Sequence, residues 1–201
     1  MSMKHLFRPS LGFAAAASLM LALAGCGINN IPTQYQAVQA SWAQVQNEYQ
    51  RRADLVPNLV STVKGYATHE EKVLTEVTEA RAKVTQTQIP ANILTNPQAF
   101  KAFEQNQATL SGALSRLMVV TENYPNLKAD QNFLTLQSQL EGTENRIAVA
   151  RRDYILAVQQ YNTELTTIPG RWYRSMFYGD KQPLQNFSAD QTAQSAPKVQ
   201  F

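Results

Sequence analysis

Apolar residues recur at heptad spacing over a long stretch of this chain, and this spacing constrains the fold more than any other feature. Alternating steps of three and four from Tyr35 to Val84 meet an apolar side chain everywhere except at Arg52 and Glu70. Such a repeat places one continuous stripe on a helix face, where it packs against partner helices. The repeat predicts one long helix over residues 33–87.

Pro57 lies inside this stretch, yet the repeat continues through it without a change of phase. A proline in a helix interior removes one hydrogen bond and clashes with the preceding turn, at a cost of about 3 kcal/mol. Burial of the stripe on both sides outweighs that cost, so the sequence predicts a single helix kinked near Pro57. The alternative is two helices that meet at Pro57, which would replace three long helices with four shorter ones.

Two further amphipathic helices follow, separated by connections that contain proline. Residues 88–98 end the first pattern and supply Asn96 as the N-cap of the second helix. A third helix is predicted from the N-cap Asp130 to Pro169. Because short connections place neighbouring helices antiparallel, we predict an all-α fold, an elongated antiparallel up-and-down bundle over residues 33–178.

The last part of the chain divides into an aromatic segment and a polar one. Residues 170–178, GRWYRSMFY, carry an aromatic cluster with Arg171 and Arg174, and are predicted to form a short helix that closes one end of the bundle. In the alternative, this cluster contacts a membrane surface through its apolar side chains. Residues 179–201 are rich in Gln, Ser, Ala and Pro, and this composition predicts a disordered tail.

The first residues have the layout of a secretory signal peptide, with a basic start and an apolar run from Leu11 to Ala24. That run would be about 21 Å long as a helix, whereas a bilayer core of about 30 Å requires nearer 20 residues. LAGC at residues 23–26 resembles the bacterial lipobox, which implies that Cys26 takes a diacylglycerol and becomes the first residue after cleavage. Residues 1–25 are then the signal peptide and 26–32 a tether. The alternative is a short membrane anchor with an incidental cysteine.

Cys26 is the single cysteine, so an internal disulfide is excluded even if the chain is exported. Acylation would remove a thiol that has no partner, and two acyl chains would hold the protein on the membrane, since each buried methylene contributes about 0.8 kcal/mol. Lys4 and Arg8 lie in the signal segment, and the remainder is close to neutral. This balance gives no reason to expect nucleic acid as a partner.

The His69-Glu70-Glu71 sequence invites a metal or acid–base interpretation. A zinc-binding helix needs two histidines one turn apart, and the other histidine is His5 in the signal segment. Nucleophilic catalysis needs a base beside a positioned nucleophile, and a glycine-rich phosphate loop is missing from the sequence. We therefore predict no catalytic residue, metal or cofactor. Glu70 falls on the apolar stripe, which predicts an internal ion pair with an arginine of another helix.

Two arginine pairs, at 51–52 and 151–152, are expected to be solvated or packed along their stems. A sharper hypothesis is that Arg52 and one arginine of the second pair bind buried acids and fix the register of the helices. Polar groups in an apolar seam can specify alignment at some cost in stability. The candidate acids are Glu48, Glu122 and Glu144.

Two long segments resemble the hallmark blocks of the LemA family. The first is RRADLVPNLVSTVKGYATHEEKVLTEVTEAR at residues 51–81, and the second is TENYPNLKADQNFLTLQSQLEGTENRIAVARRDYILAVQQYN at residues 121–162. The resemblance spans residues 33–178 and implies a helical bundle, an exported membrane-attached domain, no established enzymatic activity, and a helical His69-Glu70-Glu71. Members of that family typically begin with a transmembrane helix, whereas this chain has a shorter apolar run followed by the lipobox.

These features together predict a lipid-anchored lipoprotein of the cell envelope. The body would be a non-enzymatic helical scaffold or adaptor on the exported side of the membrane, and its partner would be another envelope protein or a second copy. In a Gram-negative cell, Gly27 after the cysteine would permit transfer to the outer membrane. Two alternatives are a membrane-remodelling or membrane-coating helical assembly, and a hydrolase whose site forms around His69.

Overall fold

The computed structural model describes residues 27–188, which form six helices. They are α1 (Asn30–Lys64), α2 (Glu71–Gln86), α3 (Pro97–Thr121), α4 (Pro125–Lys128), α5 (Gln131–Thr166) and α6 (Gly170–Phe177). No strand occurs in this part of the chain, so the all-α prediction is confirmed. The predicted signal peptide at 1–25 and the lipid site Cys26 lie outside the described residues.

The four longest helices run side by side with alternating direction. Helices α1 and α5 are antiparallel, because Asn30 contacts Glu164 at one end and Arg52 contacts Glu144 near the middle. Helix α2 folds back along the second half of α1, and α3 then runs in the same direction as α1. The result is the predicted up-and-down bundle. Helix α1 has 35 residues, which corresponds to a length of about 50 Å.

The single helix predicted over residues 33–87 is wrong, and so is the alternative break at Pro57. Helix α1 contains Pro57 and ends at Lys64, and α2 begins only at Glu71. The heptad spacing persists across the turn at residues 65–70 because α1 and α2 each bury one apolar stripe in the same cluster. The spacing reports buried faces, and it does not report whether two faces belong to one continuous helix.

The backbone hydrogen bond that Pro57 cannot donate is replaced by one from a side chain of α2. In a regular helix the N–H of residue 57 would donate to the carbonyl oxygen of Ala53, four residues earlier, but proline has no N–H. The Arg81 Nε donates to that oxygen at 2.9 Å. Because the chain reverses direction at residues 65–70, α2 places Arg81 where it supplies this hydrogen bond in place of the N–H that Pro57 lacks.

The core consists of two apolar clusters stacked along the bundle axis. The lower cluster lies near the start of α1 and the end of α5 and is rich in aromatic rings: Ile31, Val38, Trp42, Val45, Tyr49, Ile93, Leu94, Phe100, Phe103, Ile147, Ala150, Tyr154, Val158, Tyr161, Leu165, Leu184 and Phe187. The upper cluster is mostly aliphatic: Val56, Leu59, Val63, Ala67, Leu74, Val77, Ala80, Leu110, Ala113, Leu114, Leu117, Leu127, Phe133 and Leu140. Helices α1, α3 and α5 contribute to both.

The prediction of a disordered tail from residue 179 does not hold for residues 181–188, which pack along the lower cluster. Leu184 and Phe187 are buried. The Asn162 side chain both donates to and accepts from the Leu184 backbone, at 3.0 and 2.9 Å. The Tyr154 hydroxyl donates to the Gln185 carbonyl at 2.7 Å, and the Gln185 N–H donates to the Leu94 carbonyl at 2.7 Å. These bonds tie the segment to α5 and to the connection before α3.

The predicted tether at residues 26–32 is also shorter than expected, because α1 begins at Asn30. Ile31 is completely buried in the lower cluster. The chain is therefore fixed to the bundle within a few residues of Cys26.

Candidate functional site

A buried polar layer separates the two apolar clusters. Its centre is Arg52, a stripe position of α1 whose side chain is 1% exposed. The Arg52 Nη1 donates to Ser111 Oγ at 2.5 Å and to Glu144 Oε1 at 3.1 Å. The Arg52 Nη2 donates to Gln107 Oε1 at 2.6 Å and to the Gln107 carbonyl at 3.1 Å. One guanidinium thus joins α1, α3 and α5.

A second ion pair extends the layer toward the surface. The Arg146 Nε donates to Glu48 Oε2 at 3.0 Å, and the Arg146 Nη2 donates to Thr143 Oγ1 at 2.8 Å. Glu48 and Thr143 are buried, while Arg146 is partly exposed. The two ion pairs have opposite polarity, with the arginine on α1 in one and on α5 in the other. A shift of α5 along α1 would break both.

The expectation that the arginine pairs are solvated or packed along their stems agrees with Arg51 and Arg152, which are exposed, and is wrong for Arg52, which is buried. Arg52 instead follows the sharper hypothesis, because it binds Glu144, one of the three candidate acids. Glu48 is bound by Arg146, which the sequence did not single out because Arg146 flanks the apolar stripe. Arg151 stacks on the Phe187 ring at 4.3 Å from its centroid. The remaining candidates form surface pairs with sequence neighbours: Arg152 with Asp153, and Glu122 with Lys128.

The charged groups of the layer bind one another, which indicates a structural role. The Arg52 Nε lacks a hydrogen-bond partner among residues 27–188, and its guanidinium carbon lies 5.0 Å from the Tyr49 ring centroid. Burial raises the pKa of Tyr49 despite the opposing effect of Arg151 and Arg52. The Tyr49 phenol is therefore neutral beside a guanidinium that Glu144 already binds.

The His69-Glu70-Glu71 sequence lies at the turn between α1 and α2 and does not form a helical segment as the resemblance implied. His69 is exposed in that turn, and Glu71 is the first residue of α2. The ion pair predicted for Glu70 is wrong, because Glu70 Oε1 accepts from the Tyr124 hydroxyl at 2.9 Å. That hydrogen bond to a carboxylate raises the pKa of Tyr124. Across residues 27–188, no three His, Cys, Asp or Glu side chains are grouped to hold a metal.

A groove lies between α1 and the connection before α3. It has a volume of about 530 Å³ and is lined by Tyr35, Gln39, Trp42, Gln46 and residues 89–95. No acid, lysine, arginine or histidine lines it. Tyr35 is the one side chain among these lining residues that general acid–base catalysis commonly uses.

Helix α6 closes the lower end of the bundle with one face and exposes the other. Tyr173 and Tyr178 pack against the lower cluster, which agrees with the predicted closing helix. Trp172 is 57% exposed and Met176 is 73% exposed, and Phe177 is also largely exposed. The cluster that the sequence treated as one unit is therefore divided between an inner and an outer face.

The start of α6 requires a glycine. A Cβ atom at Gly170 would lie 2.1 Å from the Glu164 carbonyl oxygen, which is closer than atoms can approach without displacement. This close approach folds α6 back against the end of α5. Sequence inspection missed the role of Gly170, although a glycine directly after a proline at the end of a helix signals a sharp turn.

The first described residues, Gly27 and Ile28, lie directly beside α6. The Tyr178 hydroxyl donates to the Ile28 carbonyl at 3.0 Å, and a Cβ atom at Gly27 would lie 2.9 Å from the Tyr173 ring. Residue 27 is thus in contact with α6 at the lower end. Cys26 precedes this contact by one residue.

Comparison with known proteins agrees with this architecture. A family model described as the LemA family matches residues 41–201. The chain belongs to the LemA family. The first LemA-like segment of this chain, at residues 51–81, carries Arg52, Pro57 and Arg81. The second, at residues 121–162, carries Glu144, which binds Arg52. The two segments thus meet in the polar layer between α1 and α5.

Several curated relatives are similar to the chain over most of its length. Magnetosome protein MamQ 1 of Paramagnetospirillum magneticum is 26% identical over 157 residues, covering 70% of this chain and 58% of that protein. Magnetosome protein MamQ of Magnetospirillum gryphiswaldense is 25% identical over 171 residues, covering 77% and 62%. Protein LemA of Metamycoplasma hominis is 22% identical over 139 residues, covering 69% and 59%. The chain spans about three-fifths of the length of these relatives.

The helices of this LemA-family chain were also compared with the requirements of a membrane span. Within residues 27–188, no helix combines the length and the apolar character needed to cross a bilayer. The apolar run at residues 11–24 lies outside this range.

Proposed function

We propose that this chain is a membrane-anchored lipoprotein of the cell envelope, attached through acylated Cys26, whose body is a non-enzymatic helical scaffold or adaptor. The observation that carries the proposal is the position of residue 27, at one end of a bundle about 50 Å long. A lipid on Cys26 would hold that end at the membrane and leave the flanks of the bundle accessible to a partner. The attachment is on the exported side.

A non-enzymatic body is supported by the use of the charged side chains in the interior. Arg52, Glu144, Glu48 and Arg146 form the register-fixing layer, and Glu70 binds Tyr124. A hydrolase built around His69 would need a second group to orient that imidazole. His69 stands exposed in the turn at 65–70.

A binding role is supported by apolar side chains on the outer face of α5. Val149 and Leu156 are each about half exposed and lie one heptad apart, so they share a helix face. Such a face suits a helix of another envelope protein or of a second copy.

The relatives named as magnetosome proteins support the broader part of the proposal, namely an association with membranes. The exposed face of α6 favours a second candidate function, a helical assembly that coats or reshapes the membrane. Both functions place the α6 end of the bundle at the bilayer. An adaptor has another protein as its partner, whereas a coat, like a scaffold that binds itself, consists of copies of this chain.

The native mass of the full chain, extracted from its own membranes in mild detergent, distinguishes these functions. An adaptor is expected to co-purify with a second protein in a fixed ratio, and a coat-forming assembly is expected to appear as a homo-oligomer. A chain that is only ever recovered as a lone monomer, under conditions that preserve known envelope complexes, would contradict both.

A further inference from the structure

The exposed apolar side chains of α6 and the turn before it form a patch that no described residue covers. Trp172 and Met176 are four residues apart on α6 and share a face, Phe177 follows Met176, and Ile168 lies in the turn before the helix. All four are more than half exposed. Elsewhere in residues 27–188, Val119 is the one large apolar side chain with comparable exposure, and it lies at the opposite end of the bundle. We call these four residues the α6 patch.

The polar residues of α6 suit a phospholipid surface. The helix carries Arg171 and Arg174 and contains no acid. Arg171 is exposed, while Arg174 is partly buried and its Nε donates to the Lys181 carbonyl at 2.9 Å. Amphipathic helices that lie in a membrane interface combine Lys or Arg with Trp, Phe and Leu in this way. Tryptophan in particular is enriched at the boundary between headgroups and acyl chains.

The position of Gly27 and Ile28 in the bundle indicates that lipid covers the α6 patch. Gly27 and Ile28 contact Tyr173 and Tyr178 on the inner face of α6. Cys26 is the residue directly before Gly27, and one residue of extended chain spans about 3.5 Å. If Cys26 is acylated, the lipid chains begin beside α6. If instead the apolar run up to Ala24 remains as an anchor, it also ends within a few residues of α6.

We propose that α6 lies on the lipid bilayer, with the α6 patch inserted at the boundary between headgroups and acyl chains. This deepens the proposed function and rests on its membrane attachment, but it holds for either form of the N-terminal anchor. The bundle then contacts the membrane at two points, the N-terminal anchor and α6. Two contacts restrict its tilt, whereas a lipid alone would leave it free to swivel.

Fluorescence of Trp172 in vesicles tests this proposal with the full chain. The chain has two tryptophans, so a Trp42→Phe variant leaves Trp172 as the only reporter. The acylated variant is placed in vesicles of phosphatidylcholine and phosphatidylglycerol with brominated acyl chains, which quench nearby indoles. Because interfacial helices bury their apolar face by about 5–10 Å, we expect at least a roughly twofold loss of Trp172 emission.

A matched reporter at the far end provides the control. In a Trp42→Phe, Trp172→Phe background, Val119→Trp places an indole at the top of α3, and its emission is expected to be unaffected by brominated lipid. If Trp42→Phe fails to fold, the difference in emission between the unsubstituted chain and Trp172→Phe gives the same information, because Trp42 is buried in the lower cluster.

Three results would overturn the proposal or separate it from membrane attachment. A chain that floats with the vesicles while Trp172 is not quenched leaves the anchor intact and overturns the placement of α6. Trp172 that is shielded from aqueous iodide yet insensitive to brominated lipid shows that protein, such as a second copy, covers the patch. A chain that does not float contradicts membrane attachment and the placement of α6 together.

Discussion

Replacing Arg52 with alanine is expected to lower the free energy of unfolding by about 3 kcal/mol. Removal of one partner from a buried ion pair typically costs about 3–5 kcal/mol, because the remaining groups stay buried without compensation. Here the substitution leaves the buried Gln107 side chain and the partly buried Ser111 hydroxyl without the hydrogen bonds from Arg52. Glu144 is 44% exposed and can bind water instead, so the lower end of that range applies. Urea denaturation of both chains measures the difference.

The adjacent arginine provides a matched control for this substitution. Arg51 is exposed on the same helix, and Arg51→Ala is expected to change the free energy of unfolding by no more than about 0.5 kcal/mol. Equal effects of the two substitutions would show that the polar layer does not contribute to stability. Arg52→Met keeps much of the side-chain volume, and a variant as stable as the unsubstituted chain would indicate that Arg52 serves register alone.

Replacing Trp42 with alanine is expected to cost about 3–5 kcal/mol, the usual range for removal of a large aromatic side chain from a core. The Trp42 ring lies 5.1–6.3 Å from the rings of Phe100, Phe103, Tyr154 and Phe187, measured between centroids. Its removal leaves a cavity where α1, α3, α5 and the segment at 181–188 meet. That segment should also lose protection of its backbone amides in hydrogen exchange.

Alanine substitution of the other tryptophan, Trp172, shows whether the loss of stability at Trp42 comes from its burial or from the removal of a tryptophan as such. Trp172 is exposed on α6, and Trp172→Ala is expected to change stability in solution by no more than about 0.5 kcal/mol. If both alanine variants lost several kcal/mol in urea denaturation without lipid, Trp172 would be covered by protein in solution. The contrast thus tests the packing of the lower cluster and the exposure of the α6 patch.

The helical framework could be predicted because its signals are local. Asn96 accepts from the N–H groups of Gln98 and Ala99, and Asp130 accepts from the Phe133 N–H, so both predicted N-caps are confirmed. The break between α1 and α2 was missed because Tyr66 and Val73 continue the apolar spacing between Val63 and Val77, which are both buried in the upper cluster, although Tyr66 itself is 44% exposed. When both arms of a turn face one core, the apolar spacing continues across the turn.

The polar layer and the tail show where the sequence is insufficient. Arg52 interrupts an apolar stripe, and only the sharper of the two interpretations had it bind an acid, with Glu144 as one of three candidates. Gln107 likewise interrupts the α3 stripe between Phe103 and Leu110, and this signal could have indicated its burial. Arg146 interrupts no pattern, so its part in the layer depends on tertiary packing. The composition of the tail predicted disorder, yet Leu184 and Phe187 are enough to hold residues 181–188 against α5 and the connection before α3.

The α6 end combines features that only the tertiary structure brings together. The sequence places Gly27 and Tyr173 almost 150 residues apart, and only the antiparallel pairing of α1 with α5 brings them into contact. That contact relates the lipobox to the aromatic segment at 170–178. The contact therefore links two membrane hypotheses, namely lipid attachment at Cys26 and membrane contact through residues 170–178.

We expect a lipid on Cys26 to hold the chain at the membrane, and the intact mass of the chain extracted from membranes is the measurement that decides this. The expected polypeptide begins at Cys26 and carries a diacylglyceryl group on that residue. Proteolytic digestion should place the added mass on the N-terminal peptide. A chain that retains residues 1–25 with an unmodified Cys26 thiol would contradict the claim.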